Sequence, residues 1–124
     1  MIEQTPAVKE YVENLQFSIE QNNKHVAKFT SDVEKDPYEA MSWSKGTLEI
    51  IATLQAQKHV LLMLESDEMA SIQKVYDTVL RRVVADAKYP EHSSSPISNL
   101  MKQFLTAGYS QQLEYLKGLC YNAN

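Results

Sequence analysis

The chain has 124 residues, enough for one domain with a single core, and its 44% hydrophobic and 23% charged content is that of an ordinary globular protein. A net charge of -4, from 12 basic and 16 acidic residues, argues against a dedicated sequence-independent nucleic-acid binder, whose affinity comes from neutralising phosphates. The 3 Gly and 4 Pro are few for a β-rich fold, the single Cys120 excludes an internal disulfide, and no apolar run approaches the roughly 20 residues of a membrane span.

The first residues show no basic start followed by an apolar run, so no secretory leader is read and a soluble, cytoplasmic setting is expected. Thr5-Pro6 then forms an N-cap and first helical position, where the missing proline N–H costs nothing. A first helix over about 6–33 follows from a 4-3 seam: Val8, Val12, Leu15, Ile19, Asn22, Val26, Phe29 and Val33. Asn22 is its polar exception, and a polar residue in such a seam can fix register or oligomeric state. We therefore assign Asn22 a specificity role. Ser18, one turn earlier, can share a polar layer with it.

Asp36-Pro37 with Glu39 repeats the start signal, with Asp36 as cap and Glu39 in the capping-box position. A second helix over about 37–65 carries the stripe Trp43, Thr47, Ile50, Leu54, Gln57, Leu61 and Leu64. The short connection makes the first two helices antiparallel neighbours. Matching their layers pairs Phe29 with Trp43, Asn22 with Ile50, Leu15 with Gln57 and Val8 with Leu64. In this register no polar group faces Asn22.

At Glu65-Ser66-Asp67-Glu68 a single helix from Pro37 to Lys88 competes with a break. The stripe turns polar at Glu68 and Ser71, while a new one starts out of phase at Met69, Ile72, Tyr76, Val79 and Val83. The break is preferred, with Ser66 as cap of a third helix over about 67–88. Tyr89 to Ser95 reads as a loop, and Ser95-Pro96 opens a fourth helix over about 96–121. The expected fold is all-α, a single domain over 1–124: a long antiparallel hairpin completed by two further helices into a four-helix bundle.

At about 100° per residue, the fourth helix carries apolar groups over about 220°, from Leu100 through Phe104, Met101 and Leu105 to Tyr109 and Leu113. Only Lys102, Glu114 and Lys117 are charged between Pro96 and Tyr121. So wide an arc suits the central helix of a bundle. Its charge depletion and aromatic content also suit a protein interface. Phe104, Leu105, Tyr109 and Tyr115 are the candidate partner-binding anchors, with a second copy of the chain as the expected partner. Gly108 lies within the arc, where it allows close approach of another backbone or marks a kink.

Lys74, Arg81 and Lys88 recur every seven residues with Arg82 beside them, a stripe that could meet an anionic partner such as nucleic acid. Asp77 and Asp86 dilute it, and no aromatic residue is interleaved to stack bases. His25, His59 and His92 fit no metal-ligand spacing, Cys120 has no identifiable histidine partner, and the isolated glycines form no phosphate loop. No catalytic residue, metal or cofactor is therefore assigned. The function expected is a non-enzymatic interaction module: an assembly, adaptor or inhibitor protein that self-associates through the fourth helix. The alternatives are a nucleic-acid accessory protein and a small-ligand-binding bundle with a polar pocket near Asn22 or Gln57.

Overall fold

The computed structural model describes residues 2–88 and 95–122, with side chains described for all of these except 87, 88, 97 and 122. The described residues form helices α1 (Pro6–Lys35), α2 (Pro37–Met41), α3 (Ser44–Glu65), α4 (Ile72–Lys88) and α5 (Pro96–Asn122). Among them are no strands. The expected helical bundle is what the chain forms. The loop read at Tyr89 to Ser94, with His92, lies outside the described residues.

Three starts follow the local signals. Thr5 Oγ1 accepts from the Val8 N–H (3.3 Å), Asp36 Oδ1 from Glu39 (3.2 Å) and Ser95 Oγ from Ser98 (3.3 Å). Each satisfies an N–H that has no partner within its helix. Two boundaries differ from expectation. The second helix is not continuous over 37–65, because Ser42 and Trp43 form a turn between α2 and α3. There the Ser42 hydroxyl donates to the Glu39 carbonyl (2.6 Å) and the Ser44 hydroxyl to that of Met41 (3.0 Å). Serine hydroxyls that bond nearby carbonyls offer the backbone an alternative to the helical ladder. Trp43 is held edge-on to Phe29 (4.9 Å between centroids) and His25 (6.2 Å) of α1.

The break before the third helix is present, but that helix begins at Ile72 rather than 67. Ser66 is not its cap. The Ser66 hydroxyl accepts from Glu68 N–H within the turn (3.1 Å), and Ser71 takes the capping position by accepting from Lys74 N–H (3.2 Å).

The long helices run up, down, up and down. The Phe29–Trp43 contact at one end and the Ile2 N–H bonded to the Leu64 carbonyl (3.4 Å) at the other make α1 and α3 antiparallel. Arg82 over Tyr109 and Asp86 beside Thr106 make α4 and α5 antiparallel. Cys120, late in α5, shares a surface cleft with Ile2 beside the end of α3, so α3 and α5 are parallel.

This parallel pair forms the most extensive contact in the molecule, with α4 packed on α5 and α1 on α3. Gly108 explains how. A Cβ at this position would stand 3.2 Å from Ala56 Cβ, 3.3 Å from Thr53 Cα and 3.4 Å from the Ala52 carbonyl oxygen. Of the two roles open to Gly108, close backbone approach is the one it plays. Small residues on both helices bring the axes together and leave α1 and α4 to flank them.

The core is concentrated towards one end. Val8, Val12, Leu15, Val60, Leu64, Val75, Val79, Leu116 and Leu119 are buried together there. Towards the α1–α2 turn, Val26, Phe29, Val33, Ile50, Leu100, Met101 and Phe104 are only half-buried.

Candidate functional site

α1, α3 and α5 enclose a half-open cavity of about 200 Å³ beside the α3–α5 crossing. Its wall takes Tyr11, Asn14, Leu15 and Ser18 from α1, Gln57 from α3, and Gln111, Gln112 and Tyr115 from α5. These positions follow from helical spacing: residues 11, 14, 15 and 18 share one face, as do 111, 112 and 115. None of these residues is Asp, Glu, Lys, Arg or His.

The polar groups are organised by hydrogen bonds across the helices. Gln57 is 5% exposed, accepting at Oε1 from Asn22 Nδ2 (2.9 Å) and donating from Nε2 to Ser18 Oγ (2.8 Å). Gln112 is 2% exposed and accepts at Oε1 from the Tyr11 hydroxyl. Burial, and secondarily Tyr115, holds the Tyr11 pKa well above the ordinary phenol value, so Tyr11 stays a neutral donor. The rings of Tyr11 and Tyr115 lie 6.0 Å apart.

The Asn22–Gln57 bond corrects the expectation that Asn22 faces no polar group. Layer matching treats side chains as perpendicular to the helix, yet each Cα–Cβ bond leans towards its own N-terminus. In an antiparallel pair, Asn22 and Gln57 therefore lean towards one another across the intervening layers. Ser18 joins the same polar layer, as expected.

A second polar cluster lies on the opposite flank of α5. Tyr109 is 4% exposed, with its ring under the Arg82 guanidinium (4.4 Å) and its hydroxyl bonded to His59 Nδ1 (2.7 Å). Burial raises the Tyr109 pKa, Arg82 pulls it partly back, and Asp86 adds to the rise. A neutral Tyr109 and a neutral His59 thus share a hydrogen bond whose direction is set by the imidazole tautomer. His59 lies at the surface, and its pKa is lowered first by desolvation where the ring meets Tyr109 and then by Arg82.

Stability tied to neutral His59 is present above the ordinary value of 6.5 and is lost as pH falls through the lowered pKa. In a ¹H–¹³C NMR titration, His59 is expected to protonate below pH 6.5. Arg82→Gln should move its midpoint part of the way back, because the desolvation beside Tyr109 remains.

The four anchors expected on α5 divide. Leu105 and Tyr109 face the core, so Tyr109 is corrected from a surface anchor to an interior residue with a hydrogen-bonded hydroxyl. Phe104 is half-buried and Tyr115 is 54% exposed. The basic stripe is tied up along α4: Lys74 Nζ donates to the Glu68 carbonyl (3.2 Å), Arg81 Nε to that of Asp77 (3.4 Å), and Arg82 stacks on Tyr109. The side chain of Lys88 lies outside the described residues. Cys120 is half-buried, and burial followed by Asp77 raises its thiol pKa, which disfavours the nucleophilic thiolate.

Sequence reasoning missed Tyr11, Asn14, Gln111 and Gln112. Their only signal was the position of Tyr11 and Gln112 beside apolar stripes. Among the described residues, no group of three His, Cys, Asp or Glu could hold a metal ion, and no helix is long and apolar enough to cross a membrane. Comparison with protein-family models, with curated proteins and with solved structures finds no match for this chain.

Proposed function

We propose that the chain is a non-enzymatic helical interaction module that presents the α1–α5 flank to a protein partner, foremost a second copy of itself. The observation that carries this reading is Tyr115, 54% exposed on the rim of a cleft with no charged side chain in its wall. Phe104 stands on the same stripe of α5, displaced by three turns and only about 20° of rotation. The surface is thus narrower than the apolar arc of α5 implies, because Leu105 and Tyr109 are spent inside the bundle.

Its composition fits the role. Tyrosine gives large amphipathic contact area at low entropic cost, and serine and amide side chains give adaptable hydrogen bonds. Charge depletion marks interface centres. Asn22 acts here through Gln57, setting the register of α1 on α3 and hence the shape of the flank. The single cysteine agrees with a reducing, cytoplasmic setting.

Sedimentation equilibrium over a wide concentration range tests the proposal. The mass should rise with concentration, and Tyr115→Glu should weaken association by about tenfold or more, as expected for an aromatic anchor. A wild-type chain that stays monomeric at the highest concentration rules out self-association.

A further inference from the structure

We infer that the cavity between α1, α3 and α5 is a binding site for a small, uncharged, single-ring ligand that presents carbonyl oxygens. This goes beyond self-association and does not depend on it. The first observation is the state of Gln112. Its residue surface is 2% exposed, and its Oε1 is taken by the Tyr11 hydroxyl. Its Nε2 has no acceptor among the described residues, while no fully buried side-chain nitrogen or oxygen among them lacks a partner. The amide nitrogen therefore reaches the cavity that Gln112 lines.

In the half-open cavity that donor is left to water, and a ligand carbonyl of the right geometry can take the water's place. Gln57 adds to this. One N–H of its Nε2 goes to Ser18, which leaves the other for the same space. Gln57 and Gln112 are thus fixed donors whose own oxygens are already engaged.

The second observation is electrostatic. With no Asp, Glu, Lys, Arg or His in the wall, an ionised ligand would lose hydration without meeting a counter-charge. A neutral ligand avoids that loss. The third is shape. The cavity of about 200 Å³ is smaller than the roughly 300–1,000 Å³ of sites for drug-sized molecules, so one ring fills it. The Tyr115 ring at the rim gives such a ring an aromatic wall.

Uracil is a suitable probe because it is flat, neutral and carries two carbonyl oxygens; orotate is the same ring bearing a carboxylate. Each is titrated into ¹⁵N-labelled protein, and the side-chain NH₂ signals of Gln57 and Gln112 are followed by NMR. Uracil should shift both signals saturably with a dissociation constant of about 1 mM, and orotate should bind about tenfold more weakly. Gln112→Met keeps the length of the side chain but removes its donors, and should abolish the shift at Gln57. If that variant does not fold, Tyr115→Ala at the exposed rim should weaken uracil by about threefold.

Three results would overturn the inference: no saturable shift by about 20 mM uracil, orotate bound as well as uracil, or binding unchanged in the variant that folds. The titration is run at a protein concentration where sedimentation gives a monomer, so that a second copy over the Tyr115 rim cannot mask the site and failure of either proposal is read separately.

Discussion

Gly108→Val is expected to lower the unfolding free energy by about 3 kcal/mol, the upper end of what overpacking costs. The added Cβ already stands 3.2–3.4 Å from Ala56 Cβ, Thr53 Cα and the Ala52 carbonyl oxygen. Two of those atoms are backbone, and the third is the first side-chain carbon of a helix packed on both sides. None can swing away as a long side chain would. Two further methyl groups can be accommodated only if the α3 and α5 axes separate, and that would loosen the most extensive contact in the bundle.

Gly108→Ala is the sensitive comparison. Replacing Gly by Ala in a helix gains about 1 kcal/mol of propensity, set against a squeeze of a few tenths of an ångström. Its stability should fall within about 1 kcal/mol of the wild type. Urea unfolding followed by circular dichroism measures both. A valine variant with the wild-type midpoint would show that the crossing is not tight.

Leu116→Ala should cost about 3–4 kcal/mol, whereas Phe104→Ala on the same helix should cost about 1 kcal/mol. The difference comes from where the core lies. Leu116 is fully buried among residues of α1, α3 and α4, so its truncation leaves a cavity that surrounding helices cannot close. Phe104 is half-buried towards the opposite end, so part of its ring already meets water. Urea unfolding of the two variants gives the comparison. Amide exchange along α5 should follow the same gradient, slower over 109–119 than over 98–104. Equal losses at the two positions would contradict a one-ended core.

The parts legible in the sequence were those decided locally. Thr5-Pro6, Asp36-Pro37 and Ser95-Pro96 each satisfy orphan N–H groups within a few residues, whatever the rest of the chain does. The Phe29–Trp43 layer was legible because two stripes with the same spacing must meet from a short turn. Ser66 and Ser71 both carry a cap signature, and the choice between them depends on where Met69 and Ile72 pack. The turn at Ser42 and Trp43 has no Gly or Pro to announce it. It arises because Trp43 packs against α1 while two serine hydroxyls take up local carbonyls.

The cavity was hardest to see. An amide in a helical pattern reads as a solvated position, so a place beside an apolar stripe was too weak a signal to mark Gln112 as buried. Its environment is made by a tyrosine about a hundred residues earlier in the chain. Only the assembled helices define it. The expectation of a polar pocket near Asn22 or Gln57 names one residue of this wall, Gln57, but places none of Gln111, Gln112 and Tyr115 of α5 in it.

The glycine-mediated crossing of α3 on α5 also bears on the order in which the molecule can be made. During synthesis, α1 to α4 emerge before α5, and Ala52 and Ala56 lack the Gly108 backbone packed against them until it arrives. The early hairpin of α1 and α3 can form from neighbouring sequence, but the close-packed centre depends on partners some fifty residues apart. Until α5 docks, that face of the hairpin is unfinished, the kind of transiently exposed apolar surface that favours aggregation. For this fold, α5 is the helix that commits the others.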